Sequence, residues 1–492
     1  MFDDLPSPAA MRDLDDAALI DALSRWATAS AAADARKYAA IAELHRRRDT
    51  REHERWACDD WDSAAAEVAA ALNMGHGRAS SEMDLAVTMR DRLPRVAMLF
   101  LSGEITGRQM RLVASRTRLV VEPEPLAQLD REIADRIVSW GPLSENKLSK
   151  AVDLWVDAID PGALRRTKLS TQSRDFVVGE ADDAGTTPVW GRLLNVDAAL
   201  VRQRVAALAR GVCDDDPRTV AQRSADALGA LAAGGDHLAC QCGRPDCPAS
   251  AEDGRASSVV VHVVAEETSL DAEVDPEFDG EDIAEDGPHQ PPDRARHDKP
   301  ALILGGGPLQ PGLLASLLAR GAVVRRIKPP AEWAESKYRP STALDEFVRV
   351  RDMTCRAPGC NRPAVRGDVD HTVAYPGGAT HAGNLKCYCR LHHLLKTFWN
   401  GWSDSQDADG TVLVTTPTGH RYRTRPDSAL YFPGWNVVTP APPGTAAPPG
   451  PNRDVMMPTR KRTRTQSRAD RIRAERALND AHVAERNKPP PF

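Results

Sequence analysis

The sequence predicts an α-rich N-terminal domain joined to a small, zinc-stapled α+β module. Three observations carry this prediction. Apolar residues recur at helical spacing from Asp16 to about residue 235, short β-branched runs replace them afterwards, and the cysteines fall into two tight clusters. At roughly 150 residues per domain, the 492-residue chain has room for two to four folded units. Hydrophobic residues make up 41%, too many for a wholly disordered chain. No stretch of about 18 apolar residues exists, so no membrane span is expected. The acidic start, MFDDLPSPAAMRDLDD, lacks the features of an export signal, so the expected location is the cytoplasm or the nucleoid.

The first domain is expected over 1–250. Its opening helix, Asp16 to Arg48, carries Leu19, Ile20, Leu23, Trp26, Ala27, Tyr38, Ile41 and Leu44 near i, i+3, i+4 spacing. Amphipathic runs follow at Ser63–Met74, Met83–Leu93, Arg95–Ser102, Thr106–Arg118, Pro125–Ser139, Ser144–Val156 and Val196–Leu208. Pro94, Gly103, Pro142 and the turn before Pro217 punctuate them, and Asp175–Trp190 has strand or hairpin character. No catalytic constellation stands out in this domain.

Residues 251–330 read as a strand and helix connection: the β-branched run Ser258–Ala265, the segment Ala301–Leu304, three glycines, and LLASLLARG. GGGPLQPG matches neither the dinucleotide-binding nor the P-loop pattern, so a tight strand-to-helix turn is expected there. Residues 331–405 are expected to form the second domain, and 406–438 a hairpin turning at Thr418-Gly419. Residues 439–492 are expected to be a Pro-rich linker and a disordered basic tail, although the tail has high helix propensity. Trp399, Trp402 and Trp435 are expected in the core.

The formal net charge of -6 averages over unlike segments. From Glu266 to Lys299 there are 13 acidic and 3 basic residues, a stretch expected to be a disordered loop at -10. From Gly321 to Trp402 there are 13 basic and 7 acidic residues, and from Pro451 to Phe492 there are 11 and 5, so each carries +6. The total argues against a nucleic-acid partner, whereas the distribution argues for one.

Nine cysteines, an odd number in a chain without an export signal, point to metal rather than disulfides. Cys58 and Cys213 are isolated and expected to be ordinary buried thiols. In HLACQCGRPDCP, Cys240, Cys242 and Cys247 can converge on one ion, with His237 or a distant residue as the fourth ligand. The second cluster is sharper. Cys355 and Cys360 form a Cys-x4-Cys pair, Cys389 and His392 a Cys-x2-His pair, and together they satisfy tetrahedral zinc. Cys387 is also in range, but Cys389 sits three residues before His392 and is preferred.

Between those pairs lie polar residues that zinc does not need. Asp370 and His371 end a short strand, where alternation sends them to opposite faces. Asn384 follows a Gly-Gly loop, and His393 opens a helix. Such a set suits phosphodiester hydrolysis, which needs a base for water and a hard cation for the leaving oxygen. His371 fits the base, and Asp370 with His393 fits a Mg²⁺ or Mn²⁺ site. Asn384 either accepts the other ring N–H of His371 or braces the loop.

The segment Arg351–Lys396 resembles the HNH endonuclease family. The match runs through Cys355/Cys360, Asp370-His371, Gly377-Gly378, Asn384-Leu385, Cys389, His392-His393 and Lys396. The resemblance implies a ββα-metal nuclease fold, with His371 as general base, Asp370 and His393 on the catalytic ion, and Cys355, Cys360, Cys389 and His392 on structural zinc. The family often has Cys-x2-Cys in both halves, so this doubled histidine leaves the division between His392 and His393 open. Most of residues 15 to 435, including CQCGRPDCP and YRPSTALDEFVRVRDMTCRAPGC, resembles the actinobacterial thirteen-E-twelve repeat family. There a helical domain of unknown function precedes an HNH module, often in association with mobile or repeated elements.

The expected function is therefore metal-dependent hydrolysis of DNA, with duplex DNA as partner and no small-molecule cofactor. Arg349, Arg351, Arg356, Arg390 and Lys396 are the expected phosphate contacts. The competing expectations are a catalytically silent, zinc-containing DNA-binding protein and an interaction scaffold.

Overall fold

The computed structural model describes residues 5–164, 174–179, 186–253, 262–271, 301–309, 311–319, 321–440 and 456–488. Seven helices build the first core: α1 (Asp16–Arg48), α2 (Asp60–Ala71), α3 (His76–Asp91), α4 (Pro94–Ser102), α5 (Gly107–Arg116), α6 (Pro123–Ile137) and α7 (Glu145–Ile159). Their caps follow from side chains. Asp15 accepts from the Ala18 N–H to start α1, and Asp59 and Asp62 form a reciprocal capping box on α2. Small faces allow the helices to approach closely, because Ala31, Ala35, Ala64, Ala65, Ala69, Ala79 and Ala86 are all buried in one cluster with Tyr38, Met83, Phe100 and Leu129. Gly103 ends α4 at φ +84°, where a Cβ would sit 2.5 Å from the Thr28 carbonyl, so only glycine fits.

A hairpin follows, β1 (Asp175–Val178) on β2 (Val189–Arg192), then α8 (Asn195–Arg210) and α9 (Val220–Ala232), packed through Leu208, Val212, Ala227 and Ala230. The α9 helix lies within the stretch expected to be helical, although no separate amphipathic run marks it. In the connection, β3 (Val263–Val264), β4 (Ala301–Ile303) and β5 (Pro308–Leu309) form one small antiparallel sheet, and α10 (Pro311–Ala319) comes next. The three glycines make a tight turn, but it joins β4 to strand β5 rather than leading directly into the helix. The first part of the Ser258–Ala265 run, most of the acidic loop and most of the Pro-rich linker lie outside the described residues.

The second module starts with α11 (Thr342–Asp352), capped by Ser341. Strand β6 (Asp368–His371) pairs antiparallel with β7 (Leu385–Tyr388), and α12 (Arg390–Phe398) follows at once. A three-stranded sheet of β8 (Ser403–Gln406), β9 (Val412–Thr415) and β10 (Arg421–Thr424) lies beyond it, ending in the short α13 (Ser428–Tyr431). Trp435 packs edge-on against Phe347 at 5.6 Å.

The tail departs from expectation. Residues Arg464–Arg486 form a 23-residue helix, α14, laid along the first domain. Basic residues of this helix and of the segment before it answer acids there: Arg460 and Arg464 hold Asp59 and Asp62, Arg468 holds Asp84, Arg476 holds Asp160, and Arg486 holds Asp157. Asn479, buried, donates to the Gly162 and Leu164 carbonyls. Much of the tail's positive charge is therefore paired within the fold. Just before α14, Met457 joins Cys58, Ala66, Leu394 and Leu395 in a buried cluster that seats α12 against α2. Trp399 and Trp402 flank this cluster; Trp399 donates to the Cys58 carbonyl at 2.9 Å, and Trp402 to Ser63. No helix among the described residues is long and apolar enough to cross a membrane.

Arg460 donates to Asp59, Asp62 and the Ala57 carbonyl at 2.6–2.8 Å, and both acids are buried. Arg460→Ala is expected to cost about 1–3 kcal/mol by leaving those acids half-paired. A thermal melt should show a midpoint lower by several degrees, and an unchanged midpoint would contradict this docking.

Candidate active site and metal centres

Helix α12 sets the geometry of the module. Cys389 is its N-cap residue, so His392 and His393 lie in its first turn, about 100° apart around the axis. They therefore face different neighbours. His392 Nδ1 lies 3.2 Å from Cys389 Sγ and 3.4 Å from Cys355 Sγ. The ligand atoms of Cys355, Cys360, Cys389 and His392 all fall within 4.8 Å of one another, a set that can hold an ion such as zinc. Tetrahedral zinc with bonds of about 2.0–2.3 Å needs sulfur–nitrogen separations near these values. Contacts from Cys355 and Cys360 hold the Cys389 thiol well below its ordinary range, which favours a thiolate. Cys387 points the other way, buried towards the Val348 carbonyl.

His393 faces β6 instead. Its Nδ1 pairs with Asp368 at 2.8 Å, which leaves Nε2 3.4 Å from Asp370 Oδ1. Asp368 and Asp370, two apart on one strand, share a face by alternation. The same alternation identifies Asp368 in the sequence as a companion of Asp370. The other oxygen of Asp370 accepts from Lys396 at 2.6 Å and Lys386 at 3.3 Å. Lys386 is the cross-strand partner of Asp370 and is 0% exposed. Buried Asp404 on β8 answers it at 3.2 Å and accepts from Tyr388 at 2.8 Å. Despite its burial, Asp370 is held down to about 2, chiefly by Lys386 and then Lys396. Lys386 and Asp404 were not foreseen, since one lies in an apolar-looking strand and the other in a different sheet.

His371 faces the other side of β6. Its Nε2 lies 2.9 Å from Thr380 Oγ1, and that hydroxyl donates to the Tyr338 carbonyl at 3.4 Å. With its proton used there, the hydroxyl accepts from Nε2–H, and the lone pair falls on Nδ1. Burial lowers the imidazole to about 4, so it is neutral at pH 7 and able to accept a proton.

The Asn384 side chain hydrogen-bonds the loop rather than His371. Its amide donates to the Val373 and Ala379 carbonyls, and its oxygen accepts from the Val373 N–H, so it braces the Gly-Gly loop. Gly378 is obligatory there, since a Cβ would lie 2.0 Å from the Val373 carbonyl. Three of the five expected phosphate contacts also prove internal. Arg351, fully buried, holds Asp352 and the Ala382 and Leu385 carbonyls; Arg356, 2% exposed, holds the Thr424 and Arg425 carbonyls; Arg349 holds Asp345 and the Ala364 and Gly367 carbonyls. Arg390 is exposed beside Asp368, and Lys396 is half-buried on Asp370.

In the second cysteine cluster the fourth member is the distant residue rather than His237, and it is Cys213, expected to be an ordinary buried thiol. Cys213 joins Cys240, Cys242 and Cys247 within 4.8 Å, again a set that can hold an ion such as zinc. His237 lies apart, exposed, with Nδ1 on Asp236 and Nε2 on the Ala251 carbonyl. The cause is a buried arginine. Arg218 grips Asp216 and the Ala239 carbonyl while Asp216 accepts from the Gln241 N–H, which fastens the Cys213 turn onto the Cys240 loop. The Arg244 N–H holds the Cys242 thiol down to about 7.

A family model described as "Domain of unknown function (DUF222)" matches residues 21–352, ending just before Cys355. Among curated relatives, "Uncharacterized protein Rv3776" of Mycobacterium tuberculosis (strain ATCC 25618 / H37Rv) is 52% identical over 493 residues, covering 99% of this chain and 94% of the relative. "Uncharacterized protein Rv2100" of the same strain is 50% identical over 510 residues, covering 99% and 92%. "Uncharacterized protein in est 3'region" of Mycobacterium tuberculosis is 50% identical over 347 residues, covering 70% and 99%. No solved structure matches.

Metal content tests the ligand assignment. Cys213→Ser and Cys355→Ser are each expected to remove about one equivalent of metal from the purified chain, and His237→Ala none. Elemental analysis by mass spectrometry decides, and loss of metal in His237→Ala would overturn the cysteine-only set.

Proposed function

We propose that this chain, which belongs to the family described as Domain of unknown function (DUF222), is an endonuclease that hydrolyses DNA phosphodiester bonds with a divalent metal. One observation carries the reading. His393 Nε2 and Asp370 Oδ1 converge to 3.4 Å beside β6, with Asp368 fixing the other ring nitrogen, and a neutral histidine follows Asp370 in sequence. The donors fit a hard cation: one carboxylate oxygen and one imidazole oriented by a second carboxylate, with the remaining positions open. When bound, Mg²⁺ or Mn²⁺ would supply charge to the phosphate and the leaving 3′-oxygen.

The chain's own groups do the rest. His371, with its lone pair on Nδ1, takes the proton of the attacking water. Thr380 holds that tautomer, and Asn384 holds the loop that carries Thr380 close to the strand. Lys386 and Lys396 fix the second oxygen of Asp370, leaving Oδ1 towards His393. The four-ligand set of Cys355, Cys360, Cys389 and His392, loaded with zinc, would lock the start of α12 and hence His393. Exposed Arg390 and the cations around it supply phosphate contacts that weaken as salt rises.

A second reading, a zinc-containing DNA-binding protein without turnover, draws on Lys386. Its buried ammonium already partners Asp370, so it competes for the carboxylate that a catalytic ion needs.

Plasmid nicking by the purified chain with Mg²⁺ or Mn²⁺ separates the two. His371→Ala is expected to lose at least about 100-fold in rate, and Asp368→Asn about 10- to 100-fold through weaker metal binding. Equal nicking by wild type and His371→Ala would sink the nuclease reading, and DNA binding without any nicking would establish the second.

A further inference from the structure

Residues 331–341 form a strap across the loop that follows His371. The Glu335 N–H donates to the Thr380 carbonyl, the Ala331 carbonyl pairs with His381, and Tyr375 donates to the Ser336 carbonyl at 3.2 Å. The strap sets Tyr338 on His371, rings parallel within 16° and centroids 5.3 Å apart. Tyr375 closes the group, 5.8 Å from Tyr338 and 6.0 Å from His371. Yet Tyr338 remains 59% exposed and Tyr375 36%. Tyr338 thus rests one face on a histidine and leaves ring surface open to a further stacking partner.

The charge beside it indicates what that is. Lys337 and Arg339 flank Tyr338, are exposed, and make no ion pair among the described residues. The nearest acid of the strap, Glu335, is already taken by the Ser341 N–H and hydroxyl, both at 2.6 Å. Exposed aromatics interleaved with free cations suit a strand of unpaired nucleotides. Each base offers a π-face to stack, and the backbone meets the cations, whereas in a duplex the base faces are hidden.

We infer that Tyr338 and Tyr375 form a stacking platform for an unpaired base, with Lys337 and Arg339 on the adjoining phosphates, so that the chain prefers DNA with a single-stranded segment. The inference rests on the nuclease reading only for what happens to the bound strand, since Tyr338 stacks on His371, the proposed base.

Fluorescence anisotropy on the full chain without added divalent ion tests this, using a labelled single strand of about 20 nucleotides and the duplex of the same sequence. The single strand should bind several-fold tighter. Tyr338→Ala should weaken single-strand binding about 5- to 100-fold and duplex binding less than about twofold, while Tyr338→Phe stays near wild type. Lys337→Gln and Arg339→Gln should each lower the salt slope on the single strand by about 0.7. Tyr375→Ala provides an independent second loss, with unchanged zinc content and circular dichroism confirming that both alanine variants fold. Equal affinity for both DNAs, or equal losses on both, overturns the platform. Single-strand preference without nicking overturns only the nuclease reading, and nicking without that preference overturns only the platform.

Discussion

The C-terminal module depends on where α12 begins. Cys389 is at once the residue before the first helical turn and a member of the four-ligand cluster, so one residue fixes both helix start and rotation. Rotation decides everything downstream. With His392 turned to the thiols, the 100° step of an α-helix turns His393 to Asp368 and Asp370, and Lys396, three residues on, reaches the same carboxylate. A slip of one residue would send His393 towards the sulfur cluster and leave Asp370 with lysines alone.

Charge in this chain is mostly spent inside it. The two +6 segments suggest a surface field, yet Arg351 and Arg356 are buried on backbone carbonyls, and the tail arginines lie on Asp59, Asp62, Asp84, Asp157 and Asp160. Arginine suits this work because its planar fork satisfies several acceptors while retaining its charge. Exposed cations without an ion pair among the described residues remain for an anionic partner, Lys337 and Arg339 on the strap among them.

Local features were legible and distant ones were not. Helical periodicity located α1 over Asp16–Arg48 as observed, and the spacing of Cys355, Cys360, Cys389 and His392 identified a set the fold does bring together. Strand alternation correctly separated Asp370 from His371. Cys213 escaped because its membership depends on Arg218 bridging two turns, a contact without sequence spacing. Lys386 and Asp404 escaped for the same reason, since a lysine in a strand reads as solvent-facing until a second sheet supplies its counter-charge. The tail was misjudged because composition reports how well a segment is solvated, whereas its order comes from acids more than 300 residues away.

Those long contacts also bear on how the two halves work together. The helix that carries His393 turns its other face to Cys58 and Ala66 of the first domain, and the β9–β10 turn adds Thr418 on Glu67. Met457, from the tail, completes the same cluster. The rigid side of the proposed catalytic helix is thus the α-helical domain itself, clamped by a segment whose order derives from that domain. In this chain the first domain supplies part of the floor of the site, so its integrity and the positioning of His393 are coupled through α12.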